Sequence, residues 1–579
     1  MKKLFKYLKD YTKECILAPL FKLLEASFEL FIPLVIASIV DRGITNQDTG
    51  YILKMGGILL ILAIVGLVSA VTAQFFAARA AVGFAAKLRS ALFGHIQGLS
   101  YTNLDKAGTS TLITRMTSDI NQVQSGVNMV LRLFLRSPII VFGAMIMAFT
   151  IDVKSALIFV VAIPLLAIVV FGVMLVTIPL YRKVQSSLDK VLGITRENLT
   201  GVRVIRAFHK EAEEQEKFGE LNDTLVDLQN FVGKISAIMN PVTYVIVNGA
   251  IVLLIYTGAV QVNVGNLTQG EVVAIINYMS QILVELVKIA NLIVTVTKAV
   301  ACADRVAAVF EIENEGNTPS EKYISDGNKA PFLAFQNVCL KYAGAGEETL
   351  TDISFRVEKG ETIGIIGGTG CGKTSLVNLV AGFYKATKGG VFVNGVDIKE
   401  LPEEEIGRMV GIVPQKAVLF KGTIRSNLQW GNPDATDEQL WEAITLAQAK
   451  EVVEGKDGQL DAHVAQNGKN LSGGQRQRLT IARALVKKPE ILILDDSASA
   501  LDYATDAKLR AALKTIEDTT TTFIVSQRAS TIRHADQIVV LDDGEMAGVG
   551  THEELLQSCE VYQEIYYSQY PKEGGAANE

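Results

Sequence analysis

The stretch Thr362-Ile-Gly-Ile-Ile-Gly-Gly-Thr-Gly-Cys-Gly-Lys-Thr-Ser-Leu-Val-Asn-Leu-Val380 joins an apolar run, a glycine-rich turn and a second apolar run. This order predicts a strand, a turn and a helix, and the spacing from Gly367 to Thr374 fits the phosphate-loop pattern G-x-x-x-x-G-K-[ST]. Backbone N–H groups at such a helix N-terminus can surround phosphate oxygens, while a lysine and a hydroxyl serve the outer phosphates and Mg²⁺. The stretch therefore predicts a phosphate site made of Gly367, Gly368, Thr369, Gly370, Cys371, Gly372, Lys373, Thr374 and Ser375.

Two further motifs follow the phosphate loop along the chain. The apolar run Ile491-Leu-Ile-Leu494 has the length expected for a strand buried on both faces, and it ends in Asp495. A carboxylate in that place can hold Mg²⁺ through water. Between the two sites, a Leu-Ser-Gly-Gly-Gln signature precedes a helical pattern that begins at Arg476. Its residues are Leu471, Ser472, Gly473, Gly474 and Gln475.

With these motifs in this order, the chain resembles an ATP-binding-cassette (ABC) transporter, and the resemblance covers the whole chain. It implies ATP and Mg²⁺ as cofactors, with Thr374, Gln415 and Asp495 serving the metal. It also implies that Tyr342 stacks on adenine and that Asp502 belongs to a loop that signals across a dimer. The signature is then expected to act in trans, on the γ-phosphate of nucleotide held by the opposite subunit.

Two positions depart from the family pattern. Asp496 stands where the family usually has a Glu that orients or activates the attacking water, and Gln527 stands where it usually has a His that contacts the γ-phosphate. Asp496 is one methylene shorter than Glu, and Gln527 cannot carry the charge or proton of an imidazole. Because losing a positioned general base typically costs about 10²–10⁴ in rate, we expect this site to bind ATP and to hydrolyse it slowly or not at all. The alternative is that both replacements are tolerated.

These departures predict a particular kind of partner. Each ABC site combines the phosphate loop of one subunit with the signature of the other, so a second half-transporter with the usual Glu and His would form one competent site with this chain. The pattern resembles the degenerate-site subunit of bacterial heterodimeric multidrug exporters, which implies ATP-driven export of amphiphilic small molecules. Two alternatives stay open: a homodimeric exporter of lipid or peptide, and a nucleotide-bound regulatory subunit.

Composition agrees with a membrane protein. Hydrophobic residues make up 49% of the 579 residues and the formal charge is −6, which gives no strong basic patch for nucleic acid. A helix needs about 20 residues to cross a bilayer. We predict six transmembrane helices, near Cys15–Val40, Met55–Ala78, Val127–Ile151, Ser155–Tyr181, from Ile235 to a turn at Asn263–Gln269, and near Glu271–Val300.

The predicted fold class is an α-helical membrane domain of six long transmembrane helices fused to an α/β P-loop ABC ATPase domain with an antiparallel β subdomain. The predicted boundaries are 1–313 for the membrane domain with its cytoplasmic extensions, 314–330 for a linker and 331–571 for the nucleotide-binding domain. Residues 572–579 are predicted to form a disordered tail.

The distribution of basic residues predicts the orientation. Lysines and arginines concentrate before the first span and between the second and third, whereas the predicted outer turns are short or poor in them. The positive-inside rule then puts both termini in the cytoplasm of a bacterial cell, with a multi-pass protein in its inner membrane. Residues Met1–Lys9 predict an amphipathic helix along the membrane surface rather than a cleaved signal sequence.

Two cytoplasmic stretches match the coupling helices by which the exporter family connects membrane helices to the ATPases: Tyr101–Lys106 and Glu197–Phe208. Solvated helical hairpins are the alternative for both. Gln415 and Phe420 are expected at the groove that receives such a helix.

Ionisable residues within the predicted spans are the candidate lining of a substrate cavity, because charges inside a membrane are costly unless they are paired or hydrated. Lys22, Glu25 and Glu29 share one stripe of the first span, and Glu285 lies three residues before Lys288 on the sixth. One hypothesis is that Glu25 or Glu29 attracts cationic amphiphiles. The other is that these residues form ion pairs between helices or meet interfacial water.

Overall fold

The computed structural model describes residues 2–313, 331–497 and 499–570, which form two compact units. One unit comprises Met1–Gly98 and Thr109–Ile312, and the other comprises Leu99–Gly108 and Glu313–Glu579. The short segment 99–108, which the sequence places in the membrane domain, therefore groups with the ATPase unit, because its aromatic side chains pack there. The predicted linker 314–330 and tail 572–579 lie outside the described residues.

The membrane unit is helical and confirms the prediction of six membrane-spanning helices. Six helical segments are long and apolar enough to cross a bilayer: Leu4–Ile44, Thr49–Gln97, Thr109–Ile151, Val153–Thr200, Glu211–Asn263 and Gln269–Phe310. The α-helices of the first 313 residues are α1 (Thr12–Ser38), α2 (Thr49–Gln97), α3 (Tyr101–Ala107), α4 (Thr109–Thr114), α5 (Ile120–Leu133), α6 (Arg136–Ile151), α7 (Val153–Thr200), α8 (Val202–Ala207), α9 (Glu211–Asn263) and α10 (Gln269–Phe310). A 3-10 helix covers Lys2–Tyr11, and π-helical turns cover Ile39–Ile44 and Arg115–Asp119.

The third span differs from the single helix expected over Val127–Ile151. It is interrupted between Leu133, where α5 ends, and Arg136, where α6 begins. Pro138 accounts for the break, because proline has no N–H to donate to the carbonyl of residue 134 and its ring crowds that carbonyl. The interruption places Arg136 at the first turn of a new helix instead of one turn beyond Arg132 on the same helix.

Small residues let the membrane helices approach closely. Gly270, at the start of α10, lies against α1, since a Cβ built on it would come within 2.3 Å of the Ala37 carbonyl oxygen and 2.6 Å of Asp41 Oδ2. Asp41 in turn accepts hydrogen bonds from the Gly270 N–H (2.7 Å) and the Thr268 hydroxyl (2.6 Å). A carboxylate at a helix N-terminus satisfies free backbone donors there, so this contact fixes α1 beside the beginning of α10.

The ATPase unit contains a six-stranded sheet of order β12-β11-β3-β10-β9-β6, a four-stranded antiparallel sheet of order β2-β1-β4-β5, and the two-stranded pair β7-β8. The strands are β1 (Leu333–Leu340), β2 (Leu350–Val357), β3 (Thr362–Gly367), β4 (Lys388–Val393), β5 (Val396–Asp397), β6 (Val410–Val413), β7 (Gly422–Thr423), β8 (His463–Val464), β9 (Ile491–Asp495), β10 (Thr521–Val525), β11 (Gln537–Asp542) and β12 (Glu545–Gly550). The α/β ATPase with an antiparallel β subdomain is thereby confirmed.

The helices of this unit cover the sheets. They are α11 (Lys373–Val380), α12 (Glu403–Met409), α13 (Ile424–Leu428), α14 (Asp437–Leu446), α15 (Lys450–Glu454), α16 (Gly473–Val486), α17 (Tyr503–Leu513), α18 (Ala529–Ile532), α19 (His552–Ser558) and α20 (Glu560–Gln569). Short 3-10 turns lie at Gln459–Asp461, Gln466–Gly468 and Lys514–Ile516.

The topology of the larger sheet brings three loops together. Strand β10 pairs in parallel with β3 on one side and with β9 on the other, and Val525 is opposite both Ile365 and Asp495. Because the carboxyl ends of parallel strands meet at one edge, the segments that follow β3, β9 and β10 leave the sheet side by side. These segments carry the phosphate loop, Asp496 and Gln527.

The close approach at Gly270 generates a stability prediction. Gly270→Ala puts a Cβ into backbone atoms that cannot move aside easily, and overpacking of this kind typically costs about 1–3 kcal/mol. Gly249→Ala in α9 is the matched control, since its Cβ would meet nothing within 4 Å and alanine favours helix. Thermal unfolding of the purified chain in lipid nanodiscs should show a lower midpoint for Gly270→Ala and an unchanged or higher midpoint for Gly249→Ala. Equal midpoints would contradict the close contact.

Candidate nucleotide site and membrane cavity

A cavity of about 220 Å³ in the ATPase unit brings together residues from distant parts of the sequence. Most of the residues singled out around the phosphate loop and the two family departures line it. The lining is Thr349, Thr369, Gly370, Gly372, Lys373, Thr374, Ser375, Gln415, Asp495, Asp496, Val525, Ser526 and Gln527.

The phosphate loop has the backbone that its glycines permit. Gly370 and Gly372 have φ of 88° and 97°, in the left-handed region, and α11 begins at the next residue, Lys373. The Lys373 ammonium donates to the loop carbonyls of Gly367 (2.9 Å) and Gly368 (2.5 Å). The positive charge therefore lies across the mouth of the loop, beside the free N–H groups of a helix N-terminus, where an anion is stabilised.

Thr374 and Asp495 form the part of the site that suits a divalent cation. The Thr374 hydroxyl lies 3.2 and 3.0 Å from the two carboxylate oxygens of Asp495, which is buried at 4% exposure. Burial raises the pKa of Asp495; the Thr374 hydrogen bond opposes this rise and the neighbouring charge of Asp496 adds to it. A hydroxyl and two adjacent carboxylates are oxygen ligands of the kind Mg²⁺ prefers, so the residues present fit the metal that an ABC ATPase domain normally uses with ATP.

Asp496 is held beside the same cavity by two contacts. Its carboxylate accepts a hydrogen bond from Gln415 Nε2 at 3.3 Å, and its backbone N–H donates to the Val525 carbonyl at 3.0 Å. Its φ is 45°, in the left-handed region that short polar side chains tolerate better than most others. The structure thus places Asp496 and Gln415 together, as the motif order predicts.

Gln527 follows the end of β10 and lines the cavity on the side opposite the phosphate loop's own strand neighbour β11. The preceding residue, Ser526, donates its N–H to the Ile365 carbonyl of β3 at 3.1 Å. The two departures from the family pattern therefore sit on adjacent strand ends, both directed at one cavity.

Tyr342 lies next to the phosphate-loop helix but does not line the cavity itself. Its hydroxyl donates to the Ser375 hydroxyl at 2.9 Å, and its ring meets that of Tyr384 edge-on at 4.9 Å. The ring is therefore fixed near the loop; its stacking on adenine stays a prediction.

The coupling segment α3 docks on the same aromatic group within the ATPase unit. The rings of Tyr101 and Phe383 stack at 4.4 Å, and the Tyr384 hydroxyl donates to Asp105 at 2.6 Å. Burial, followed by this bond to Asp105, raises the pKa of Tyr384 above its usual range. Sequence reasoning missed Phe383 and Tyr384, although an aromatic pair shortly after a phosphate-loop helix could have been noticed.

The signature lies outside the cavity that its own chain's phosphate loop lines. Ser472 caps α16, because its hydroxyl accepts from the Gln475 N–H (3.3 Å) and its N–H donates to Gln475 Oε1 (3.0 Å). A Cβ at Gly473 would meet nothing within 4 Å, so that residue borders open space. Asp502 caps α17 in a similar way, accepting from the N–H of Thr505 at 2.9 Å.

In the membrane unit, the predicted polar residues share one partner that sequence reasoning did not assign to them. Arg136 on α6 donates to Glu285 of α10 (2.6 Å) and to Glu29 of α1 (2.7 Å), and it lies 3.7 Å from Glu25. Lys288 pairs with Glu285 at 2.7 Å and Lys22 with Glu25 at 2.5 Å. These contacts form ion pairs between helices, as the second sequence hypothesis expects.

The members of this charge cluster, defined as Lys22, Glu25, Glu29, Arg136, Glu285 and Lys288, balance as three cations and three carboxylates. Glu29 and Arg136 are each 15 residues from the loop ends Ile44 and Ile151, and Glu285 is 16 residues from Gln269. At 1.5 Å per residue all three lie at a similar depth, about 22–24 Å along their helices. The cluster is therefore a neutral layer well inside the spans.

A second cavity, of about 320 Å³, opens beside the charge cluster between α1, α6 and α10. It combines charged, amide and apolar groups. Its lining is Glu29, Ile32, Pro33, Ile36, Ile140, Asn277, Ser280, Gln281, Val284, Glu285 and Lys288. Glu25 does not line it, and of the two paired carboxylates Glu29 is the more exposed, at 34% of its side chain against 3% for Glu285.

Comparison with known proteins agrees with these motifs. The ABC transporter transmembrane region model matches residues 15–286, and the ABC transporter model matches residues 350–499. The chain is 36% identical over 574 residues to the uncharacterized ABC transporter ATP-binding protein YfiB of Bacillus subtilis strain 168, across 99% of both chains. It is 32% identical over 580 residues to the putative multidrug export ATP-binding/permease protein YgaD of the same strain, across 98% of both.

A solved structure of a bacterial Atm1-family ABC exporter with ATP bound has the same fold. The TM-score is 0.79 at 22% sequence identity, over 98% of this chain and 99% of that chain. With its membrane region and its ATP-binding domain both matched, the chain belongs to the ABC transporter family, as a half-transporter of the exporter type.

Proposed function

We propose that this chain is the degenerate-site half of a heterodimeric exporter of amphiphilic small molecules. The observation that carries the proposal is the composition of the nucleotide cavity. The phosphate-loop lysine, the Thr374 hydroxyl and Asp495 are all in place, while the two positions expected to act on the attacking water and the γ-phosphate are Asp496 and Gln527.

The geometry of Asp496 supports slow hydrolysis. Its side chain is one methylene shorter than Glu and is engaged by Gln415, so its carboxylate is held back toward the protein. Gln527 has no imidazole to carry a proton or a positive charge. ATP binding depends on the other side of the cavity, where Lys373 and the loop N–H groups lie, so binding persists while hydrolysis is lost.

The signature supports catalysis with a partner. Ser472 and Gln475 form an intact helix cap, yet none of Leu471–Gln475 lines the cavity of their own chain. A second half-transporter that carries Glu and His at the two positions would use this signature to complete a competent site.

Exposed apolar groups in both units also support a partner chain. On α8 and just after it, Val204 and Phe208 are 60% and 72% exposed. In the ATPase unit, Phe420 and Trp430 stack at 4.4 Å and are 45% and 65% exposed. Exposed aromatic groups of this size favour an interface.

The membrane cavity supports an amphiphilic substrate with a cationic head. Ile32, Ile36 and Val284 supply apolar surface, and Glu29 supplies an accessible carboxylate. Two buried acceptor oxygens at this cavity, Glu285 Oε2 and Gln281 Oε1, have no donor within the described part of the chain, which favours a ligand head with N–H donors.

The setting that fits this activity is the inner membrane of a bacterial cell. Six spans with the basic residues on one side put both termini and the ATPase in the cytoplasm, where ATP is. The lipid bilayer is then a partner of the exposed apolar helices, and the charge of −6 gives no support for nucleic acid.

A homodimeric exporter of lipid or peptide is the second candidate, and one observation favours it. The left-handed φ of 45° at position 496 suits Asp for a purely conformational reason, so Asp there need not indicate lost catalysis. In a third role, as a regulatory subunit, the chain would hold nucleotide without turnover.

Restoring both departures should restore hydrolysis in the chain alone. We expect the purified chain in lipid to have a near-zero Mg-ATPase rate and the Asp496→Glu, Gln527→His double variant to be at least about tenfold faster, because a base and an imidazole then face the cavity. The Lys373→Ala form of the double variant is the control for contaminating ATPases. Robust activity in the unmodified chain would instead support the homodimer.

Mixing two defective chains should test whether the signature acts in trans. One chain carries Asp496→Glu, Gln527→His and also Gly473→Glu, which fits the monomer because a Cβ there meets nothing within 4 Å. The other is the unmodified chain, with an intact signature. Neither should hydrolyse ATP alone, whereas co-expressed and co-purified dimers should regain activity. Failure to complement, with dimers present, would argue against this use of the signature.

Charge substitutions of opposite sign should test the membrane cavity. Glu29→Gln should weaken binding of a lipophilic cationic dye about five- to tenfold, while Lys288→Gln, at the same cavity, should leave it unchanged or strengthen it. Fluorescence titration of the protein in nanodiscs measures both, with an uncharged dye as the reference ligand. Equal losses in the two variants would indicate structural damage instead of charge recognition.

A further inference from the structure

The last helix of the described chain, α20, holds the loop that carries Gln527 by its backbone. The side-chain amide of Gln569 uses both of its polar atoms: Nε2 donates to the carbonyl oxygen of Gln527 (2.7 Å) and Oε1 accepts from the N–H of Ala529 (2.9 Å). The two bonds span Arg528 in the way a neighbouring strand would pair. One side chain therefore fixes the backbone at two points of this loop.

The other end of the loop is fixed to the sheet. Ser526 donates its N–H to the Ile365 carbonyl (3.1 Å), and its hydroxyl accepts from the N–H of Arg528 (3.0 Å). Gln527 thus lies between an anchor on β3 and the amide of Gln569, and its side chain lines the nucleotide cavity. Small displacements of a side chain relative to a reacting group strongly affect activity, so the second anchor matters for where Gln527 points.

Helix α20 is a firm support for this contact. Tyr562 is fully buried, and its hydroxyl lies 2.8 Å from His552 Nδ1. Further along the helix, the Tyr566 ring lies 5.1 Å from the rings of both His552 and Tyr570. Because the helix is anchored through its aromatic side chains, the amide of Gln569 is held in place before nucleotide binds.

The same helix end also reaches the segment that follows Asp502. The Tyr570 hydroxyl lies 3.4 Å from that of Tyr503, which donates to the Ser530 hydroxyl at 2.8 Å. Tyr503 is the first residue of α17, directly after Asp502. The end of α20 therefore contacts two loops, one that lines the cavity and one expected at the dimer contact.

We propose that Gln569 is a positioning residue for the ATP reaction: it fixes the backbone of Gln527 so that its side chain faces the terminal phosphate of ATP. Gln569 acts through Gln527 and does not touch the nucleotide. Tyr570 and Tyr503 extend the same support to the start of α17.

The first test compares ATP with ADP, since only ATP has the phosphate that Gln527 would face. In the full chain in nanodiscs, Gln569→Ala should lower the preference for ATP over ADP about fivefold, with the affinity for ADP and the unfolding midpoint unchanged. Gln569→Glu keeps the acceptor but loses the donor and should give an intermediate loss. Glu564→Ala, exposed on the same helix, is the control. A preference equal to that control, or parallel losses for ATP and ADP, would overturn the proposal.

The second test measures the contact itself and requires no hydrolysis, so its result is independent of whether the site is degenerate. Hydrogen exchange of the peptide covering 526–530 should be about tenfold faster in Gln569→Ala than in Glu564→Ala, while a peptide of β3 should be unchanged. Unaltered exchange would show that Gln569 does not hold the loop. Faster exchange over the whole ATPase unit would show a general structural role and would likewise overturn the positioning role.

Discussion

The placement of β10 between β3 and β9 is the constraint on which the nucleotide site depends. All five residues of β9 and of β10 are buried, so neither strand offers chemistry along its length. Their register puts Val525 level with Ile365 and Asp495, and the polar groups begin where the strands end. A slip of one residue would turn every side chain of a strand to the other face, so the apolar pattern of the strands also fixes the position of the metal-binding carboxylate.

The membrane unit depends on a different constraint, the balance of charge away from water. Removing one member of a buried ion pair typically costs about 3–5 kcal/mol, because the other charge is left uncompensated. Arg136 has carboxylates on two other helices, and both acidic helices carry a lysine as well. The cluster can therefore hold three helices together at no net charge. It also leaves Glu29 and Lys288 at the cavity wall, where a ligand meets one charge of each sign.

The sequence predicts what is local and periodic. The phosphate loop, the six apolar spans and the turns between them depend on spacing along the chain, and the structure has each of these elements where the spacing puts it. The interruption at Pro138 has a local cause that the span length concealed. By contrast, the partners of Arg136 are 107 and 149 residues away, and Gln569 contacts a residue 42 positions before it. Such contacts depend on how helices pack, and one sequence contains no pattern that pairs them.

The two departures at the nucleotide site are neighbours in space, since the N–H of Asp496 donates to the carbonyl of Val525, two residues before Gln527. Both lie on the ends of β9 and β10, whereas the lysine and the glycine N–H groups that would hold the phosphates follow β3. Binding and hydrolysis thus draw on different strand ends of one sheet. A change confined to two of these ends can remove catalysis without disturbing the loop that retains nucleotide, and this separation is what allows a subunit to keep ATP bound while its partner's site turns over.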